Sequence, residues 1–405
     1  MTRDAAAAHR DRSTGHGGVA RGRITVMDAV RVGIAGAGPW AGMFHAPMLG
    51  AGPHTTVSAV YGRRREAADE LAGQYDAYST DDFEDFLAHC DAVSFALPPD
   101  VQAALAPVAA AAGKPLLLEK PIALDLDGAQ ELAAAVEGVP TQLMLTRRYA
   151  RRIRGFLEQA HAVPITGLRT SFVSGAFLPG SPFATPWRLQ HGALLDVGPH
   201  VLDLMDAVAG RIERIEYTGD PATMLALTTR HESGAIGQAF ISSVVPGYLA
   251  DLEVFGPEGI LSAPDRSDEE RAEVMATIAA EFAHVVRTGR SHELDVHRGL
   301  YLQELIAALE PQVRVRVLHG YGFTAVDPVT AQHSALKPLP SHRHAEGAGA
   351  RQRDDTAGGR DQVQSVDHGH GQVVADGVHV GDGHRILRRQ ILGGGAVDDS
   401  LGDLF

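Results

Sequence analysis

Cysteine is almost missing from this chain: one thiol, Cys90, stands among 405 residues. An intramolecular disulfide is thereby excluded, and a reducing, cytoplasmic compartment is the simple expectation. Cys90 precedes an apolar run with nothing nearby to lower its pKa, which predicts a buried structural thiol. No run is long and apolar enough to span a bilayer as a helix, so no membrane role is expected. Residues 1–26 lack the apolar core of a secretion signal. Positive charge is also in deficit: 36 Lys and Arg face 50 Asp and Glu, a net charge of −14. A general nucleic-acid binder needs basic surface against phosphates, so that class is excluded, although local basic clusters are not. Apolar residues, in contrast, make up 44% of the chain, enough to bury a large core and fill two domains.

Residues 31–145 alternate short apolar runs with helical patterns. Strands are expected at Val32–Ala35, Val57–Tyr61, Ala92–Leu97, Leu116–Leu118 and Gln142–Leu145, with helices near 41–50, 63–73, 81–89, 100–112 and 125–137. Runs apolar on both faces and joined by helices imply a parallel sheet covered on both sides, the doubly wound Rossmann arrangement. After about residue 150 the pattern becomes consecutive strands punctuated by Gly and Pro. They fall at 168–173, 212–218, 224–229, 236–242 and 252–255, which suggests a mainly antiparallel sheet. One helix interrupts it, expected to begin near Asp196 and end at Gly210. Helices 268–288 and 296–309 follow, with apolar residues every three or four positions.

The ends differ from the body. Residues 1–26 mix Arg, Asp, His, Gly and Ala without period, which predicts disorder, and Met27 reads as a more natural start. From 312 to 405 the patterning fades into a low-order tail rich in Gly, His and Asp. Its composition fits disorder or an altered reading frame. Its histidines show no second ligand set at metal-binding spacing, so no metal is expected. The expected division is thus 1–26, a dinucleotide-binding domain at 27–146, a substrate and oligomerisation α/β domain at 147–311, and the tail.

Three separated motifs carry chemistry. The first is Gly36-Ala37-Gly38-Pro39-Trp40-Ala41, which follows the first strand. Gly36 permits a tight turn, Gly38 lets backbone approach a pyrophosphate, and Ala41 is small enough for close helix–strand packing. The following helix would aim its free N–H groups at phosphate. An ordinary glycine turn is the plainer alternative. The second expected strand ends at Tyr61-Gly62 and continues into Arg63-Arg64-Arg65, where an NAD site usually has Asp or Glu. A guanidinium fork suits a 2′-phosphate, so NADP is preferred and NAD remains possible. The alternative is a solvated helix face. The turn Leu97-Pro98 joins the expected cofactor contacts.

The second motif, Glu119-Lys120-Pro121, lies at the carboxyl end of Leu116–Leu118, where ligands of such sheets bind. Lys120 could favour alkoxide character on a substrate oxygen, and the Lys120-Pro121 bond is a candidate for cis. In the third, Gly192–His200, Asp196 and His200 stand four residues apart, one helical turn. An acid beside an imidazole would raise its basicity and orient it as a proton acceptor. Asp203 competes for that role, and a helix cap beside a buried histidine is the plainer reading.

These motifs resemble the Gfo/Idh/MocA family, which includes glucose-fructose oxidoreductase and inositol 2-dehydrogenase, over residues of about 30 to 310. The resemblance implies a Rossmann domain followed by an α/β domain whose open sheet often makes homo-oligomer contacts. It implies that Lys120, Asp196 and His200 surround the reacting carbinol of a sugar, cyclitol or related polyol, with His200 as acid/base and Asp196 as its partner. Trp187-Arg188 resembles a segment near the substrate pocket, and Arg148 falls where the chain crosses between domains; both are expected at the substrate. The glycines before the Ala193-Leu194 run are reduced to His191-Gly192, and Gln102 stands where many members have His. The family also contains regulators, so a non-catalytic NAD(P)-binding sensor is the second expectation.

Overall fold

The computed structural model describes residues 29–267, 270–309, 318–319 and 322–323. Residues 29–309 belong to one compact unit. The strands β13 (Leu318–His319) and β14 (Gly322–Phe323), which pair antiparallel, belong to another. Residues 1–26 and most of the expected tail, all its histidines but His319 included, lie outside the described residues.

The first sheet contains β1 (Val30–Ala35), β2 (Thr55–Tyr61), β3 (Tyr78–Thr80), β4 (Ala92–Phe95), β5 (Leu116–Leu118) and β6 (Thr141–Leu143), in the order β3-β2-β1-β4-β5-β6. Every pair is parallel. Valine, isoleucine and leucine fill these strands because both faces are buried; Leu116, Leu117 and Leu118 are all inaccessible. The order reverses between β1 and β4, and the crevice beyond the carboxyl ends there is where such sheets take ligands. Between the strands lie a π-helical turn at Ala41–His45, α1 (Ala46–Gly50), α2 (Arg65–Gly73), α3 (Phe83–Ala88), α4 (Pro99–Ala111) and α5 (Leu126–Ala135). Strand β3 escaped the sequence reading. It has three residues at the sheet edge, too few for a hydrophobic period.

A 3-10 turn (Thr146–Tyr149) and α6 (Arg151–His161) lead into β7 (Gly167–Ser174), then α7 (Pro186–Asp196) and α8 (Gly198–Ala209). Strands β8 (Ile212–Asp220), β9 (Met224–His231), β10 (Ile236–Ser242), β11 (Tyr248–Gly256) and β12 (Gly259–Ser262) complete a second sheet, ordered β12-β11-β7-β10-β9-β8. Only β7 and β10 pair in parallel; the other neighbours are antiparallel. The fold is therefore α/β, a Rossmann sheet followed by a mostly antiparallel one.

The helix expected from near Asp196 to Gly210 is α8, capped by Gly210, and a separate helix that the sequence reading did not foresee, α7, precedes it. Asp196 ends α7 and α8 starts at Gly198, with Pro199 in its first turn. Inside α7, Gly192 has φ 76°, a conformation that favours glycine and kinks the run.

Helices α9 (Glu270–Thr288) and α10 (Val296–Ala307) pack back on the first sheet. The Gln142 amide donates to Ile278 O at 3.3 Å, and Val296 N donates to Thr141 Oγ1 at 3.1 Å. The last described helices therefore cannot be assigned to the second sheet's layer alone.

Candidate active site

Two cavities hold most of the residues singled out from sequence. The first, of about 730 Å³, brings together Gly36, Gly38, Gly62, Arg63, Arg64 and Leu97. Gly36 has φ 125°, and a Cβ there would collide with the Ala96 carbonyl. A Cβ on Gly38 would meet nothing within 4 Å, so its backbone is bare towards the cavity. This matches the requirement of a dinucleotide pyrophosphate for close backbone approach. Arg63 and Arg64 are exposed and their side chains make no hydrogen bond or ion pair among the described residues, whereas the Arg65 side chain is held by Asp69 at 2.9 Å. Pro39, Ala41 and Pro98 line neither cavity: Ala41 is buried in packing, and Pro98 caps α4.

Trp40 and Glu119, expected at the cofactor, line the second cavity instead, together with Lys120, Arg188, Asp196 and His200. This cavity measures about 600 Å³. Lys120 follows β5 and is joined to Pro121 by a cis peptide. Its Nζ donates to the Asp196 backbone oxygen at 2.8 Å and to Oδ1 at 3.0 Å. Arg188 Nε lies 3.2 Å from Asp196 Oδ2, an ion pair whose N–H does not point at the oxygen. Burial opposes the Asp196 charge, but Lys120 and Arg188 together outweigh it and hold the carboxyl below the usual carboxylate range.

The expected Asp196–His200 hydrogen bond is not formed. The carboxylate at the end of α7 is engaged by Lys120 and Arg188, and His200 Nδ1 is buried without a partner. The expected rise in imidazole basicity is likewise reversed. Burial, reinforced by the Lys120 charge and opposed by Asp196, pushes His200 well below its ordinary pKa. The ring lies against Phe172, centroids 6.3 Å apart and planes 15° apart.

Arg148 does not line this cavity. Its Nη1 pairs with Asp203 Oδ1 at 3.2 Å, and Arg298 Nε donates to the same oxygen at 2.7 Å. Asp203 is therefore committed elsewhere and does not compete for His200. Trp187 also stays outside the lining; Arg188 stacks on it, 4.5 Å from guanidinium carbon to ring centroid.

His45, Ser94, Thr146, Phe172 and Phe183 escaped the sequence reading, and the first two belong to a network around Glu119. Glu119 accepts from Trp40 Nε1 at 2.6 Å and from Lys120 N at 3.0 Å, and its Oε1 lies 3.0 Å from His45 Nε2. His45 Nδ1 is 2.8 Å from Ser94 Oγ. The Gln102 amide clamps the Glu119 backbone, accepting from its N–H and donating to its C=O, both at 2.8 Å. The substitution of Gln for His at this position was a visible signal of Gln102. Thr146, Phe172 and Phe183 complete the wall, and no local motif marks them. Among the described residues, no group of three or more His, Cys, Asp or Glu could hold a metal, and no helix is long and apolar enough to cross a membrane.

Comparison with known proteins agrees with this architecture. Residues 30–146 match the GFO_IDH_MocA family model, described as an oxidoreductase family with an NAD-binding Rossmann fold, and residues 165–262 match the GFO/IDH/MocA C-terminal domain. The chain is 30% identical over 224 residues to the uncharacterized Saccharomyces cerevisiae protein YMR315W, covering 52% of this chain but only 62% of that relative. It is 26% identical over 237 residues to UDP-N-acetylglucosamine 3-dehydrogenase of Acidithiobacillus ferrooxidans, covering 56% and 72%. The fold resembles that of Lactobacillus casei scyllo-inositol dehydrogenase with bound NAD(H) and scyllo-inositol. That likeness has a TM-score of 0.59 at 19% identity, over 70% of this chain and 96% of the other.

Proposed function

The chain belongs to the GFO/IDH/MocA oxidoreductase family, and from that premise we propose that it is a dehydrogenase or reductase of a sugar, cyclitol or related polyol. The observation that carries this reading is the convergence of Lys120, Asp196 and His200 on one cavity. In the oxidation direction the substrate hydroxyl approaches Lys120, whose charge favours the developing alkoxide. The O–H proton passes to the neutral His200 ring, the carbinol C–H leaves as hydride, and a C=O bond forms. Asp196 holds the Lys120 ammonium in place. The dinucleotide supplies the hydride chemistry when bound. The bare backbone at Gly38 would hold its pyrophosphate, and Gly62 and Arg63 would face its adenosine end.

NADP is the favoured cofactor in this reading. The second strand ends without a carboxylate, and two uncommitted guanidinium groups face the first cavity. Self-association through the second sheet is supported by its free face. Ile236 and Phe240 on β10 and Leu249 on β11 point to the same side and are exposed. The experiment that tests the function follows NAD(P)H absorbance of the purified chain against a panel of sugars and cyclitols in both directions. Turnover supports the enzyme. Cofactor binding without turnover on any of them would instead identify a sensor.

A further inference from the structure

A buried cation behind the pocket has no part in the chemistry so far. Arg147 belongs to the 3-10 turn whose first residue, Thr146, lines the second cavity. It is only 6% exposed, and none of its three guanidinium nitrogens has a hydrogen-bond partner. Burial lowers its pKa to about 10, which leaves it charged at neutral pH. It has no ion-pair partner among the described residues; Tyr248, Asp251 and Glu270 favour its charge and Arg152 opposes it, but they do not offset the cost of burial, so stability does not explain its presence.

The guanidinium carbon lies 5.8 Å from the Phe172 ring centroid, a cation–π contact. The same ring lies against the His200 imidazole. Tyr248 closes on Phe172 edge-on, 5.8 Å between centroids, and Phe172 is itself buried. The Phe172 ring is thus a hydrocarbon neighbour shared by the cation and the imidazole, and hydrocarbon screens charge far less than water.

We propose that Arg147 is a positioning residue for the His200 proton acceptor, its charge acting past the Phe172 ring to hold the imidazole neutral. This rests on the role proposed for His200. The charged groups around the imidazole are Lys120 and Glu119 from the end of β5, Arg188 and Asp196 from α7, and Arg147 from the 3-10 turn; Tyr248 faces Phe172 from β11. Without Arg147, two cations would balance two carboxylates. Arg147 tips that balance against imidazolium, in the same direction as burial and Lys120 and against Asp196. One charge at roughly 10 Å, at an effective dielectric of about 20, is worth about one pKa unit.

The test is an NMR titration of the imidazole signals of the full chain without cofactor, with His200 identified by its loss in His200→Gln. Arg147→Met and Arg147→Gln both remove the charge, so the measurement survives if one of them fails to fold. The His200 midpoint should rise by about one unit in either, while Arg147→Lys should keep the native midpoint. An unchanged midpoint in the charge-free variants overturns the inference, and so does an equal rise in Arg147→Lys, which would mark a packing effect. In an active enzyme the acid limb of kcat/KM should move with the midpoint. Turnover is not needed for the titration, so lack of activity on every polyol would sink the proposed reaction without bearing on the midpoints.

Discussion

The Lys120 ammonium reaches the Asp196 carboxylate at 3.0 Å, joining residues 76 positions apart in the sequence. The side chains are 14% and 9% exposed, so the pair is held away from water. It joins the end of a strand in the first sheet to the end of a helix that packs on the second. The same contact fixes the ammonium proposed to act on the substrate and lowers the pKa of the acid.

Lys120→Met should therefore act on both function and stability. Turnover should fall by roughly two to four orders of magnitude, because charge stabilisation and orientation are lost together. Asp196 would keep only the misaligned Arg188, and removing one partner of a buried pair is typically destabilising by about 3–5 kcal/mol. The pH dependence has a fixed sign. The Asp196 pKa is lower in the folded chain than in the unfolded one, so its contribution is full above about pH 3.9 and is lost as pH falls below that. Melting temperature followed from neutral to acid pH should fall less steeply in the variant over that range.

His200→Gln should abolish most turnover while the fold survives. It should also flatten acid destabilisation at higher pH. The imidazole pKa is depressed by burial, so below its unfolded value of about 6.5 the unfolded chain binds a proton that the folded chain refuses. Native stability should decline as pH falls through that region, and the variant should lose less. Parallel melting curves for the two proteins from pH 7 to pH 5 would contradict the depressed pKa.

Arg63→Ala and Arg64→Ala should weaken NADPH more than NADH. Losing a charge-assisted contact to a 2′-phosphate costs about 1.5–3 kcal/mol, roughly tenfold or more in Kd. Fluorescence titration of each variant with both cofactors measures the ratio. Equal losses for the two would remove the NADP preference.

Gln102→Leu keeps the side chain's approximate bulk but deletes the clamp on the Glu119 backbone. Two buried backbone groups would lose their partners, each at about 1–3 kcal/mol. The denaturation midpoint should fall, and kcat should fall with it because Lys120 is the next residue. A large loss of stability with unchanged kcat would confine Gln102 to a structural part.

The parallel sheet was legible because valine- and leucine-rich runs, buried on both faces, recur between helical patterns; Leu116–Leu118 was located to the residue, as was Ile236–Ser242 of the second sheet. The glycine turn was legible because few residue types tolerate its geometry. Other features were not. Asp196 was assigned to His200 because spacing along a helix was the only available distance, and the kink at Gly192 and the reach of Lys120 are not local. Arg148 was placed at the substrate by its position between domains, yet Asp203 and Glu293 claim it. His45 and Phe172 carry no motif of their own.

The parallel character of the first sheet and the glycine turn at Gly36 and Gly38 follow from sequence, because they depend on hydrophobic period and local sterics, whereas Lys120, Asp196 and His200 were grouped through the family resemblance. Which charges meet did not follow from sequence. Two cations and two carboxylates share one cavity, and their pairing is decided by where separate elements bring them within 3 or 4 Å. Burial there is a property of the packed whole, and it makes the histidine a weaker base than its neighbour in sequence suggests.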